Sequence, residues 1–184
     1  MIDYWVWDNL LDINKIKEIN SFIENNFNSI EDPKAWGKSH DGKRLKYTDT
    51  KIITWEKVKH LLQEVEDKCL WTARKEFGYN VYSLNNLDQI FDNTYKEGGE
   101  YGWHIDSSRS NLYDVKLTLL VNTSENPYEG GQFKIFNNGE YEVKELNKSG
   151  NAILMKSNLN HKVASVTKGV RRSIALFFYG PKFI

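Results

Sequence analysis

The chain has 184 residues, its 25 lysines and arginines balance its 25 aspartates and glutamates, and 14% of its residues are aromatic. This length suits a single domain, and the composition is typical of a folded protein, which excludes an intrinsically disordered chain. The neutral balance gives no support to a nucleic-acid partner or to an anionic membrane surface. Cys69 is the only cysteine, so an intrachain disulfide and a cysteine-based zinc site are also excluded.

The N-terminal segment predicts neither export nor membrane insertion. "MIDYWVWDNL" lacks a basic n-region, and no stretch approaches the roughly 18 apolar residues of a membrane span. We therefore expect a cytoplasmic protein with no membrane partner.

The first 80 residues are predicted to be mainly helical. A short aromatic strand, "YWVW", precedes a segment in which apolar residues recur at three- and four-residue steps behind Asp12, a suitable N-cap. Residues 30–51 are polar and form a long loop, either a lid or a plain surface connection. "TKIITW" then predicts a strand, and a second amphipathic helix follows and ends at Gly78.

Beyond Gly78 the sequence predicts a β domain. The strand-like runs, separated by Gly, Asn, Pro and Ser, are "LDQIFDNTY", "VKLTLLVN", "GQFKIF", "EYEVKEL", "NAILMK", "HKVASV" and "RRSIALFFYG". Short strands at regular spacing indicate a jelly roll. The predicted fold class is α+β, mainly β: a double-stranded β-helix (jelly-roll) core at 81–184 with bracing N-terminal helices at 1–80, forming one domain over 1–184.

The stretch "YGWHIDSS" at 101–108 contains a candidate metal-binding pair. His104 and Asp106 are two residues apart, so on a strand they face the same side. Such a pair also arises by chance, and a solvent-exposed histidine beside a turn aspartate is the alternative. His161, 57 residues beyond His104, is a candidate third ligand. Two histidines and one carboxylate form the facial triad of non-haem Fe(II) oxygenases, which leaves coordination positions open.

The stretch "VTKGVRRSIALFFYG" predicts a hairpin turn at Lys168 and Gly169, followed by a strand with two different faces. Arg171, Ser173 and Ala175 lie on one of them. A guanidinium with a hydroxyl and a small neighbour suits a bound carboxylate, through paired charge-assisted hydrogen bonds. A surface arginine beside a turn is the alternative.

With these motifs, the chain from about residue 87 to residue 179 resembles the prolyl 4-hydroxylase-type branch of the Fe(II)- and 2-oxoglutarate-dependent dioxygenases. The similar pieces, in order, are "TYKEGGEYGWHID", "LTLLVNTSENPYEGGQFKIF" and "HKVASVTKGVRRS". The chain departs from the family pattern at Gln132, where a glutamate usually follows the two glycines, and we expect this to affect only the turn. Residues 1–80 carry no motif of the family.

The resemblance implies a set of cofactors and residues. The implied cofactors are Fe(II), 2-oxoglutarate as cosubstrate, O2, and ascorbate as a reductant. The implied ligands of Fe(II) are His104, Asp106 and His161. The residues implied around 2-oxoglutarate are Arg171 at its distal carboxylate, with Tyr95 and Ser173. Tyr101 is expected to border the substrate, and a buried structural role is the alternative for both tyrosines.

The implied reaction hydroxylates a C–H bond and releases succinate and CO2, with a prolyl residue in a peptide or protein as the leading substrate. Another protein side chain, a free amino acid and a small metabolite are alternative substrates, and a non-catalytic jelly-roll binding module is the alternative from another class. We expect residues 34–51 and 107–113 to close over the substrate, His40 and His60 to face solvent, and Trp103 to pack in the core. The sequence leaves the oligomeric state open.

Overall fold

The structure, a computed structural model, describes residues 2–29, 45–107 and 113–182. Its helices are α1 (Ile13–Asn26) and α2 (Trp55–Thr72), a π-helical turn (Ala73–Phe77) continues α2, and a short 3-10 helix covers Lys144–Asn147. The strands are β1 (Tyr4–Trp7), β2 (Lys46–Tyr47), β3 (Asp49–Thr54), β4 (Gln89–Tyr95), β5 (Glu100–His104), β6 (Tyr113–Asn122), β7 (Glu129–Gly130), β8 (Phe133–Phe136), β9 (Glu140–Glu142), β10 (Ala152–Lys156), β11 (Asn160–Val163), β12 (Val166–Lys168) and β13 (Arg171–Pro181). The predicted α+β, mainly β architecture with helices near the N-terminus is confirmed.

Both helices form where the sequence pattern places them. The Asp12 carboxylate accepts a hydrogen bond of 2.8 Å from the Lys15 backbone N–H and so caps α1. The buried face of α1 includes Ile16, Ile19 and Ile23, which recur at helical spacing. After α2 and its π-helical turn, Gly78 adopts a left-handed conformation with φ 67°, which ends the helical segment.

Two antiparallel sheets form the jelly roll. The six-stranded sheet has the order β1-β10-β6-β13-β4-β3, the five-stranded sheet has the order β2-β5-β11-β8-β9, and β12 pairs with β7. The core lies on both faces of the six-stranded sheet. On β10, for example, Ala152 and Leu154 pack in the cluster that contains the helices, whereas Ile153 and Met155 pack with residues of the five-stranded sheet. Because both faces are covered, this strand is a continuous apolar run.

Two local predictions are wrong. Lys168 and Gly169 do not join paired strands, because β12 pairs with β7 and the chain then enters the six-stranded sheet as β13. Trp103 belongs to neither core cluster of the described residues. It is half-buried, its ring contacts the Phe136 ring edge-on at 6.1 Å between centroids, and the Lys162 ammonium lies 4.6 Å from its ring centroid. A cation over the ring lets this tryptophan remain at the surface.

Candidate active site

The two histidines of the candidate metal site lie opposite each other on adjacent strands of the five-stranded sheet. His104 is the last residue of β5 and pairs directly with His161 of β11. Asp106 lies beyond the end of β5, and its backbone N–H donates a hydrogen bond of 2.8 Å to the Ser157 carbonyl. Strand register therefore aligns the histidines, whereas a backbone hydrogen bond, and not strand alternation, holds the aspartate next to them.

The three side chains converge on one point. The His104 Nε2 lies 3.5 Å from one Asp106 carboxylate oxygen, and the His161 Nε2 lies 3.4 Å from the other. One ligand atom from each residue falls within 4.8 Å of the others. The two imidazole rings are 4.1 Å apart between centroids. Two imidazoles and one carboxylate around a common point suit a divalent transition metal, so the donor set fits Fe(II).

Backbone hydrogen bonds fix the tautomer of both histidines. The Nδ1 of His104 lies 2.8 Å from the Gly102 carbonyl oxygen, and that of His161 lies 2.9 Å from the Leu159 carbonyl oxygen. A carbonyl only accepts, so each Nδ1 carries the proton and each Nε2 presents its lone pair to the metal position.

Burial shifts the pKa values of two of the three candidate metal ligands. Burial, followed by the neighbouring His161, lowers the pKa of His104 to about 3, so its imidazole is neutral at physiological pH. Burial raises the pKa of Asp106 above its usual value, and the nearby His161 and Lys46 oppose that shift. A metal ion at this point would compensate the negative charge of the Asp106 carboxylate.

Arg171 is a buried cation beside the same cavity. Its side chain is 1% exposed, its Nη1 donates a hydrogen bond of 3.1 Å to the Ser173 hydroxyl, and its guanidinium carbon lies 5.3 Å from the Tyr95 ring centroid. Its Nε is buried without a hydrogen-bond acceptor, and within the described segments no ion pair joins Arg171 to a carboxylate. A buried guanidinium with an unsatisfied donor fits an anionic ligand.

The histidines, the aspartate and the arginine line a single cavity of about 90 Å³. One water requires roughly 10–15 Å³ by this measure, so the cavity holds several water-sized groups, the size of a small acid. The apolar part of its wall consists of Phe91, Leu120, Phe133, Val163, Ala175 and Phe177. Ser173 and Ala175 lie on the same face as Arg171, as the strand alternation predicts.

Both candidate tyrosines also line this cavity. Tyr95 is 2% exposed, and burial raises the pKa of its hydroxyl to about 12, with Arg171 opposing the shift. The Tyr101 ring stacks on the His104 imidazole at 3.5 Å between centroids and 14° between planes. Burial, and then Asp106, raises the pKa of Tyr101. Both hydroxyls are therefore neutral hydrogen-bonding groups at physiological pH.

Lys46 is a cavity residue that the sequence interpretation missed. It lay inside a segment assigned to a polar loop, but β2 pairs it with Tyr101 of β5. Its side chain is 3% exposed, and its ammonium donates a hydrogen bond of 2.7 Å to the Asn93 side-chain oxygen. A two-residue strand in a polar segment carries no periodic pattern, so no local signal marks this lysine.

His60 does not line the cavity. His60 is exposed, and its ring contacts the Phe22 ring edge-on at 5.2 Å between centroids. His40, residues 34–44 of one expected lid and residues 108–112 of the other lie outside the described residues. Across the described part of the chain, no helix is both long and apolar enough to cross a membrane.

Comparison with known proteins agrees with this fold. The model of the 2OG-Fe(II) oxygenase superfamily matches residues 91–179, the segment that contains the three candidate metal ligands and Arg171. This segment of the chain is therefore similar to 2OG-Fe(II) oxygenases.

A relative and two solved structures define the likeness further. A PKHD-type hydroxylase of Xylella fastidiosa (strain M12) is 32% identical over 149 residues, and the match covers 66% of this chain and 61% of the relative. The chain thus spans less than two thirds of that relative. A prolyl-4-hydroxylase of Pseudomonas putida has a TM-score of 0.69 at 14% identity, covering 98% of this chain and 94% of that one. A Trichoplax adhaerens prolyl hydroxylase, in complex with a hypoxia inducible factor peptide fragment, has a TM-score of 0.67 at 16% identity, covering 96% and 83%.

Proposed function

We propose that the protein is an Fe(II)- and 2-oxoglutarate-dependent dioxygenase that hydroxylates a C–H bond and releases succinate and CO2. The observation that carries this proposal is the convergence of two imidazoles, one carboxylate and one buried guanidinium in a single cavity. The match of residues 91–179 to the model of the 2OG-Fe(II) oxygenase superfamily supports the same chemistry.

In this proposal His104, Asp106 and His161 hold Fe(II), which activates O2 when it is bound. Arg171 binds the distal carboxylate of 2-oxoglutarate, because its buried Nε lacks an acceptor. Ser173 orients the guanidinium through its hydrogen bond.

Tyr95 lies on β4, the strand next to β13 in the six-stranded sheet, and pairs directly with Arg171. We assign its neutral hydroxyl to the end of the cavity where Arg171 binds 2-oxoglutarate. The apolar wall formed by residues such as Phe133 and Val163 keeps bulk water away from the reacting groups, which strengthens electrostatic interactions inside.

The substrate class is proposed from the branch of the superfamily. A prolyl residue in a peptide or protein is the leading substrate, since the solved structures of similar fold include prolyl hydroxylases, one of them with a bound peptide. Tyr101, beside His104, would border that substrate. Another protein side chain, a free amino acid and a small metabolite remain alternative substrates for the same chemistry.

The proposal also covers the domain organisation, the reductant and the cellular compartment. Segments 1–80 and 81–184 act as one domain, since a single buried cluster contains residues of both helices and of the six-stranded sheet. Ascorbate serves as the reductant, and the compartment is reducing and cytoplasmic, where the one cysteine, Cys69, stays a buried free thiol.

The test measures succinate formed from 2-oxoglutarate by anaerobically iron-loaded protein after air is admitted. Wild type is compared with His104→Ala and Arg171→Ala. We expect oxygen-dependent succinate in wild type and its loss in both variants. If folded, iron-loaded wild type neither forms succinate nor binds 2-oxoglutarate, the dioxygenase proposal is wrong and the protein is a non-catalytic jelly-roll binding module.

A further inference from the structure

Thr118 is a fully buried threonine on the inner face of the six-stranded sheet. It lies in β6, is 0% exposed, and pairs directly with Phe177 of β13 and Met155 of β10. Residues that pair directly across antiparallel strands share a face of the sheet. Phe177 lines the active-site cavity, and Met155 packs with residues of the five-stranded sheet. The Thr118 side chain therefore lies between the two sheets, on the side of the candidate metal ligands.

Asp106 is attached to the same strand through Ser157. The Ser157 carbonyl accepts a hydrogen bond of 2.8 Å from the Asp106 N–H. The Ser157 N–H in turn donates to the Lys116 carbonyl at 3.0 Å, and the Ser157 hydroxyl donates to the Val115 carbonyl. The backbone of Asp106 is thus tied to the part of β6 that immediately precedes Thr118.

The Thr118 hydroxyl lies next to the Asp106 carboxylate. Burial raises the pKa of Asp106, and His161 and then the Thr118 hydroxyl, as a hydrogen-bonding group, oppose that shift. Among the described residues, however, this buried hydroxyl forms no hydrogen bond of regular geometry. A buried polar group without a regular partner is unfavourable, and its presence in a folded protein calls for an explanation.

The two histidines do not select one oxygen of the Asp106 carboxylate. The His104 Nε2 lies 3.5 Å from one oxygen, and the His161 Nε2 lies 3.4 Å from the other. A carboxylate can bind a metal through one oxygen or through both, and binding through both takes an additional coordination position. A facial triad needs open positions for its ligands, so a further group must restrict the carboxylate to one oxygen.

We propose that Thr118 is a positioning residue for Asp106: in the metal-bound protein its hydroxyl donates to one carboxylate oxygen and leaves the other oxygen for the metal. This inference rests on the proposed function and adds to it a residue that does not line the cavity. The hydroxyl gains its regular hydrogen bond when the metal fixes the carboxylate. Outer-shell donors of this kind orient the ligating group and tune metal affinity.

The first experiment replaces Thr118 by valine, which removes the hydroxyl and nearly keeps the shape of the side chain. The dissociation constant of Mn(II) is measured without 2-oxoglutarate, by EPR of the free ion. Loss of an outer-shell hydrogen bond typically weakens metal binding about 10- to 100-fold, and we expect that increase in the dissociation constant. The Tm of the metal-free protein should not fall, because the hydroxyl that is removed has no regular partner.

Thr123 provides the matched control. It is also 0% exposed, and its hydroxyl is also buried without a hydrogen-bond partner among the described residues. It follows the last residue of β6, at the opposite end of the strand from Val115, and its backbone N–H donates to the Arg172 carbonyl at 2.9 Å. Thr123→Val should therefore bind Mn(II) with the affinity of wild type.

A second pair of variants separates the hydroxyl from packing, and it applies even if Thr118→Val does not fold. Thr118→Ser and Thr118→Ala both lose the methyl group, and only serine keeps the hydroxyl. We expect Thr118→Ser to retain the Mn(II) affinity and the visible absorption spectrum of the Co(II)-loaded wild type. Thr118→Ala should bind Mn(II) more weakly and show a changed Co(II) spectrum, because the intensity of that spectrum depends on the coordination number.

The outcomes distinguish this inference from the proposed function. If wild type binds Mn(II) and the variants without a hydroxyl show the same affinity and the same Co(II) spectrum, Thr118 has no positioning role and the proposed function stands. Equal losses of affinity in Thr118→Ser and Thr118→Ala would assign Thr118 to packing and overturn the inference. Folded wild type that binds neither Mn(II) nor Co(II) would refute the metal site, and the role of Thr118 with it.

Discussion

Replacing Arg171 by methionine should move cosubstrate binding and protein stability in opposite directions. Truncating one partner of a buried charge pair costs about 2–5 kcal/mol, so the dissociation constant of 2-oxoglutarate should rise by about 30-fold to 5,000-fold. In the unliganded protein, however, the guanidinium is 1% exposed and its Nε lacks an acceptor. Burial of such an ion costs several kcal/mol, against about 1 kcal/mol for its hydrogen bond to Ser173. Arg171→Met should therefore stabilise the protein without ligand.

The adjacent Arg172 provides the matched control. Its Nε and Nη2 donate to the two Asp92 carboxylate oxygens at 2.9 and 2.7 Å, and its Nη2 lies 3.1 Å from Glu24. The Asp92 side chain is 0% exposed, so Arg172→Met leaves a buried carboxylate without its partner and should cost about 3–5 kcal/mol. The affinity for 2-oxoglutarate should stay unchanged, because Arg172 lies on the other face of β13.

Thermal unfolding and calorimetry test both arginines. For a chain of this length 1 kcal/mol corresponds to about 2–4 °C in Tm, so Arg171→Met should raise Tm by about 2 °C or more, and Arg172→Met should lower it by about 6 °C or more. The same samples, loaded with Mn(II), give the affinity for 2-oxoglutarate. If Arg171→Met lowers Tm and leaves the affinity within twofold, Arg171 is a structural arginine and the assignment of the cosubstrate site fails.

A glycine next to the site and a buried carboxyl group supply the other tests. In Gly131→Ala the new Cβ would lie 2.9 Å from the Arg171 Cδ at a φ of 63°, so calorimetry should show weaker 2-oxoglutarate binding together with a lower Tm. Gly98→Ala, with a φ of 80° and nothing within 4 Å, should lower Tm alone, and equal affinities in the two variants would refute a steric effect on Arg171. Burial raises the pKa of Glu66, which accepts a hydrogen bond of 2.6 Å from the Leu84 N–H. The folded state thus binds a proton at higher pH than the unfolded state, and stability falls as pH rises through the raised pKa. Glu66→Gln should be more stable than wild type at pH 7 by denaturant titration, with a smaller difference near pH 4; a difference independent of pH would contradict this.

Local sequence patterns were sufficient for the helices and for the face of β13. Apolar residues at helical spacing, a capping aspartate and a terminal glycine act within a few residues, so α1 and α2 follow from the sequence. Alternation along a strand is equally local, and it places Arg171, Ser173 and Ala175 on one side. The types and order of the candidate site residues also suggested their chemistry, since two imidazoles, a carboxylate and a guanidinium have few common uses together.

Strand pairing could not be predicted from local sequence patterns. The turn at Gly169 has a typical hairpin composition, yet β12 pairs with β7, because which strands pair depends on closure of the whole jelly roll. Trp103 is a large apolar residue of the kind expected in a core, but it lies on the outer side of β5 with Lys162 over its ring. Short apolar runs determine that a strand forms, and distant strands determine its neighbours.

The sequence by itself determined which residues can bind a metal and a carboxylate, because those properties belong to the side chains. Only the tertiary structure decided that His104 and His161 face each other, since register between β5 and β11 is a long-range property. It also decided that Asp106 approaches them from beyond the strand, and that Lys46 lies in the cavity wall. A lysine in a polar segment is expected at the surface, and only pairing of β2 with β5 buries it beside the site.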